Sequence, residues 1–178
     1  MNQFITDTLQ LDRCRQTVFH IALAQQVQPV LIGSMHYDYA VRTLSLCWNW
    51  VEKHDVNGIA LYHLYHDDDD HGVETAMYAA YSHNPAMWNA WGCVSGALVC
   101  TGYCAFLDQG DSPPESFEDA FSEKVLTAFM GYYHGVVGES QVPEQLTVFL
   151  RGLPDNQITK SVILAKLGEL VNFSTTKQ

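Results

Sequence analysis

The chain has 178 residues, 47% of them hydrophobic, with 20 acids against 9 lysines and arginines and a formal net charge of −11. That length suits one domain, and the apolar fraction is ample for a core, which excludes a disordered chain except at the tips. The charge disfavours nucleic acid and anionic lipid as partners, because phosphate is bound by Lys and Arg.

The N-terminus reads Met1-Asn-Gln-Phe-Ile-Thr-Asp7. It has no basic stretch followed by an apolar one, so no secretory signal is expected and the location is read as cytoplasmic. Residues 8–27 carry Leu9, Leu11, Val18, Ile21, Ala22 and Leu23 at helical spacing, and Pro29 stops the run. Ser34 can cap a helix over 35–53, with Tyr37, Ala40, Val41, Leu44, Cys47, Trp48 and Val51 as its apolar stripe. Asn57-Gly58 marks a break. A short helix follows over 59–66, then the Asp67–Asp70 run, then another short helix over 74–82.

Asn84-Pro85 is a strong start signal, with Asn as N-cap and Pro at the first helical position. The helix it opens should reach about Leu107. Gly92 and Gly96, four apart, would let another helix approach closely. Gly110 to Pro114 reads as a loop. Ser116-Phe-Glu-Asp119 has the shape of a capping box, with a helix running on to about His134. Gly135–Gly138 should break it. Pro143 can open a helix ending near Gly152, and Thr159 can cap a last one over 160–172. The expectation is an all-α fold: one globular bundle of seven to eight helices, a single domain over 1–178, built around a long apolar central helix at about 85–107.

Residues 75–107 contain no Asp, Glu, Lys or Arg. Asn89, Ser95, Thr101 and three glycines dilute their hydrophobicity, and the flanks carry acids rather than bases. A helix buried on most faces explains the stretch better than a membrane span. The five cysteines, at 14, 47, 93, 100 and 104, form no CxxC pair. They read as reduced, buried thiols.

Motifs that would carry chemistry are weak. His63 and His66 lie three apart on one helix face, followed by Asp67, Asp68, Asp69, Asp70 and His71. Imidazole plus carboxylate suits Zn, Ni or Mn, yet there is no HExxH, and a solvated His/Asp corner is the simpler reading. No cofactor is expected. Neither G-x-S-x-G nor a Gly-rich phosphate loop occurs. With so many acids close together, some carboxylate pair is always available, so that signal carries no weight for acid–base catalysis.

The sharper signal is segregation of charge. Between His54 and Glu123 there is no Lys or Arg, while the stretch holds twelve acids. They are Asp55, Asp67–Asp70, Glu74, Asp108, Asp111, Glu115, Glu118, Asp119 and Glu123. A surface of one sign attracts a basic partner. Of the aromatics, Trp48 and Trp50 should point to different sides of their helix, and Trp88 and Trp91 to one face. Tyr62, Tyr65, Tyr78 and Tyr81 crowd one region. Trp50 and Tyr65 are expected to be partly exposed, because their neighbours at i+3 and i+4 include Lys53, His54, Asp68 and Asp69.

A resemblance follows from Leu46-Cys-Trp48-Asn-Trp50, Leu61-Tyr62-His-Leu, Asn89-Ala-Trp91 leading into Ala97-Leu-Val and Ala105-Phe, and Pro113-Pro114. Together these resemble a family of small α-helical immunity proteins from bacterial polymorphic-toxin and contact-dependent growth inhibition systems, the one usually numbered six. The similarity covers about residues 35–133. It implies a non-enzymatic protein that binds the C-terminal domain of a cognate toxin, often a nuclease with a basic active-site cleft. The contact residues would then come from Asp67–Asp70, Glu74, Asp108, Asp111, Glu115, Glu118 and Asp119, with Trp50 and Tyr65 as aromatic candidates. Two other readings share the sequence: an acidic adaptor for another basic partner, and a metal protein using His63, His66 and His71. Oligomeric state is open.

Overall fold

Capping side chains divide the chain where its hydrophobic periodicity breaks. The computed structural model describes residues 3–66, 72–81 and 84–175. α1 (Gln3–Leu9) and α2 (Arg13–Val27) are parted by Asp12, whose carboxylate accepts from the Arg15 backbone N–H at 2.9 Å. After a 3₁₀ turn at Gln28–Leu31 come α3 (Tyr37–Lys53), α4 (Gly58–Tyr65) and α5 (Val73–Tyr81). α6 (Pro85–Asp108) is 24 residues long, which is about 36 Å of helix. The chain continues with α7 (Glu115–Glu118), α8 (Glu123–Val137), α9 (Val142–Gly152) and α10 (Lys160–Thr175). Among the described residues there is no strand, and the fold is all-α.

Start signals that depend on one side chain hold at α4 and α6 and fail at α3: Ser34 accepts from His36 N–H at 3.3 Å, and the helix begins at Tyr37 with His36 at its cap position and no side-chain cap. Asn84 Oδ1 accepts from Met87 N–H at 3.1 Å, and Asn57 Oδ1 accepts from Ile59 N–H at 2.8 Å. Three boundaries differ from the sequence expectation. The first helix is two, α1 and α2, because Asp12 caps a new start where 8–27 reads as continuous. The box at Ser116–Asp119 does not form: Ser116 lies inside the single turn of α7, which follows Pro114 without a side-chain cap, and Ser122, accepting from Val125 N–H at 3.3 Å, starts α8. Gly135 does not end α8. A Cβ there would lie 2.2 Å from the Asn89 amide, so this glycine lets α8 lie against α6, and Gly138 at φ +74° closes the helix. These splits give ten α-helices among the described residues where seven or eight were expected.

α6 is the axis. It packs against α2, α8, α5, α4 and α3, and its most apolar window is 78% buried. By length and hydropathy alone this helix could cross a membrane; its burial inside the protein accounts for both. α8 also lies tight against α6 at Gly92, where a Cβ would meet the Tyr132 ring at 2.5 Å. α4 and α5 run one after the other along α6, antiparallel to it. Gly58 lies against Phe106, Tyr65 hydrogen-bonds Ser95, and Tyr81 meets Trp88. One large apolar cluster extends from Ile5 to Leu170 and includes Trp48, Trp91 and Tyr133. All five cysteines are free. Burial pushes the Cys104 thiol up to about 11 and that of Cys47 to about 12.

Candidate functional site

The base-free stretch corresponds to α4, α5, α6 and α7, plus the first residue of α8. Outside it, four of the eight acids have a Lys or Arg partner. Arg15 pairs with Asp12 and with Asp155 at 2.6 Å, Arg151 with Asp7 at 3.3 Å, and Lys166 with Glu169 at 2.9 Å. Inside it, among the described residues, no Lys or Arg pairs with an acid. Two acids there have imidazole partners: Asp108 with His54 Nδ1 at 3.0 Å, and Glu74 with His66 Nδ1 at 2.7 Å. Asp111, Glu115, Glu118 and Asp119 are exposed.

α7 sets the position of this second group. Its Phe117 is fully buried against α6, where a Cβ on Gly102 would meet the ring at 2.4 Å. Glu115, Glu118 and Asp119 are therefore held on a short turn whose one apolar side chain anchors it. Tyr62 and Tyr65 of α4 meet Phe117 edge-on, at 5.9 and 5.6 Å. Tyr65 also meets His66, which holds Glu74. The chain of contacts from Phe117 through Tyr65 and His66 thus joins α7 to the start of α5.

Asp108 is only partly free. Its Oδ2 accepts from Trp50 Nε1–H at 2.9 Å as well as facing His54. Trp50 is 2% exposed, which corrects the expectation of partial exposure. Its exposed neighbours misled, because the indole turns towards the end of α6 and finds there the acceptor its N–H needs. Removing that acceptor in Asp108→Ala strands a buried N–H. The expected loss is about 1–3 kcal/mol by urea denaturation, with a smaller loss for Asp108→Asn, which keeps an acceptor. Equal losses for the two variants would contradict this account of the bond.

Tyr65 is half-buried, as expected, and burial pushes its phenol up. His63 is exposed. His66 points one nitrogen at Glu74. His71 and Asp67–Asp70 lie outside the described residues. Among the described residues no three His, Cys, Asp or Glu side chains gather as a metal site.

Sequence reasoning passed over one arrangement. Tyr78 and Tyr81 are each 66% exposed, and both rings lie near Trp88 on the first turn of α6. The signal was present: α5 buries Val73 and Ala76, and tyrosines at 78 and 81 fall on its other side. Trp88 and Trp91 divide between surface and core. Trp88 is partly exposed and Trp91 fully buried.

The model of one protein family, Immunity protein Imm6, matches residues 15–136. That span takes in α2, which packs along α6, and so reaches further than the 35–133 of the sequence resemblance. No curated protein matches the chain, and no solved structure does. The match covers about two thirds of the chain and runs from α2 to the end of α8, around the whole length of the axial helix: the chain belongs to the Imm6 family of immunity proteins, and its role is immunity against a bacterial toxin.

Proposed function

We propose that this protein acts in the cytoplasm of the toxin-producing cell by binding the C-terminal domain of its cognate toxin, a nuclease with a basic active-site cleft. The contact is the acidic surface of α5 to α7: Glu74, Asp108, Asp111, Glu115, Glu118 and Asp119, with Asp67–Asp70 beside them in sequence. It is an inhibitor in a polymorphic-toxin or contact-dependent inhibition system, needs no cofactor and acts by binding alone. The observation that carries this reading is an exposed group of acids on a stretch of chain that has no Lys or Arg. Asp111, Glu115, Glu118 and Asp119 are exposed and have no Lys or Arg partner among the described residues, and the stretch from His54 to Glu123 contains no base to supply one. Such a surface competes with phosphate for a nuclease's cations and speeds the encounter with them.

The test is the association rate with the purified toxin domain across a salt series. Replacing Asp111 and Asp119 by Asn, and Glu115 and Glu118 by Gln, should slow association by roughly tenfold to a hundredfold at low salt and flatten the salt dependence. Asp67–Asp70 changed to Asn should act in the same direction. Unchanged rates for both sets at low salt would remove the acidic contact from the account.

A further inference from the structure

We propose that Tyr78, Tyr81 and Trp88, backed by Tyr132, receive a lysine or arginine side chain of the toxin. This rests on the immunity reading and names the contact that holds the complex once charge has brought it together. Three rings from two helices converge on one indole of a third. Tyr81 meets Trp88 at 4.8 Å and 67°, Tyr78 at 6.5 Å and 51°, and Tyr132 of α8 at 6.1 Å and 82°. The rings stand at steep angles to the indole, and the two tyrosines of α5 leave two-thirds of their surface in solvent.

The cluster stands on rigid supports. Asn84 and Pro85 fix the start of α6, and the Tyr132 ring lies tight against Gly92. Tyrosine and tryptophan lose little rotamer entropy on binding, which is why such residues anchor interfaces.

The occupant follows from charge. Aromatic faces are electronegative and attract Arg or Lys. Elsewhere the protein supplies its own cations to such faces: Arg13 lies 5.2 Å from the Tyr103 ring and Lys166 5.8 Å from the Phe149 ring. Among the described residues no Lys or Arg covers the rings around Trp88, and the stretch from His54 to Glu123 has none to offer. Glu74, one helical turn before Tyr78, adds negative charge on the same side of α5. A partner with an exposed cation completes what this part of the chain lacks.

The experiment is binding of the purified toxin domain to the full chain and to three double variants at positions 78 and 81. Tyr78→Ala with Tyr81→Ala should weaken the complex by roughly tenfold to a hundredfold, mostly through faster dissociation. Tyr78→Phe with Tyr81→Phe keeps the ring faces and should stay within about threefold. Tyr78→Leu with Tyr81→Leu keeps apolar area without a π face and should lose as much as the alanine pair. Far-ultraviolet circular dichroism and the thermal midpoint of each variant should match the parent, since these side chains are mostly exposed. Indifference of the alanine pair overturns the proposal, and so does full binding by the leucine pair, which would mark a plain apolar contact. An alanine pair that loses only self-association would assign the patch to a second copy of this chain and also overturn it. If the parent chain fails to bind the toxin domain, the immunity reading fails with it. If the parent binds and the variants bind equally, this contact alone is wrong.

Discussion

Trp91→Ala is expected to destabilise the protein by about 3–5 kcal/mol, a large part of the roughly 5–15 kcal/mol that holds a domain folded. Trp91 has no exposure and lies on α6, the helix against which α2, α3, α4, α5 and α8 pack. Removing the indole leaves a cavity in the packed core, which the surrounding side chains can close only in part. For a chain of this length the midpoint of thermal unfolding should fall by roughly 10 °C. In urea the midpoint should fall with the slope unchanged. Trp88→Ala, three residues earlier and partly exposed, should cost much less. A loss below about 1 kcal/mol at Trp91, or equal losses at the two positions, would contradict the place of α6 as the axis.

Stability should also fall as pH drops from 6.5 towards 4, through one histidine. His20 is 1% exposed, and burial holds its imidazole down from the ordinary 6.5 to about 4, against a weaker opposing effect of its bond to the Gln16 carbonyl. Nδ1 makes that bond at 2.7 Å, Nε2 has no partner, and the ring packs 4.3 Å from that of Phe129. Above pH 6.5 the imidazole is neutral in both folded and unfolded chains and contributes no pH dependence. Below 6.5 the unfolded chain binds a proton that the folded one refuses until about pH 4. Stability is lost across that window, to a total of roughly 3 kcal/mol. His20→Leu removes the titration. The difference in unfolding free energy between parent and variant should therefore change across pH 6.5 to 4 and stay constant above 7. A constant difference throughout would mean that His20 is free to charge inside the fold.

The all-α class and the axial helix were legible because they rest on local signals. Asn84-Pro85 starts α6 through a side-chain bond the sequence already implies, and the apolar run behind it has the length to span the molecule. The small residues at 92 and 96 likewise announced a close neighbour, which is α8. Boundaries failed where two residues compete for the same role. Ser116 and Ser122 both read as caps in sequence, but Ser116 falls inside the turn of α7 and only Ser122 caps a helix. Side-chain direction failed for a similar reason. The charged neighbours of Trp50 in sequence say nothing of Asp108, 58 residues away, whose carboxylate gives the indole a buried partner. The aromatic patch was missed because Tyr78, Tyr81, Trp88 and Tyr132 come from three helices and meet only in the folded chain.

The central claim is neutralisation by direct binding, and the most direct measurement is co-expression of this chain with its cognate toxin domain, followed by purification across a salt series. The account predicts that cells survive the toxin only with this chain present, and that the two proteins leave the column as one complex which weakens as salt rises. Survival without a complex, or a complex indifferent to salt, would contradict it.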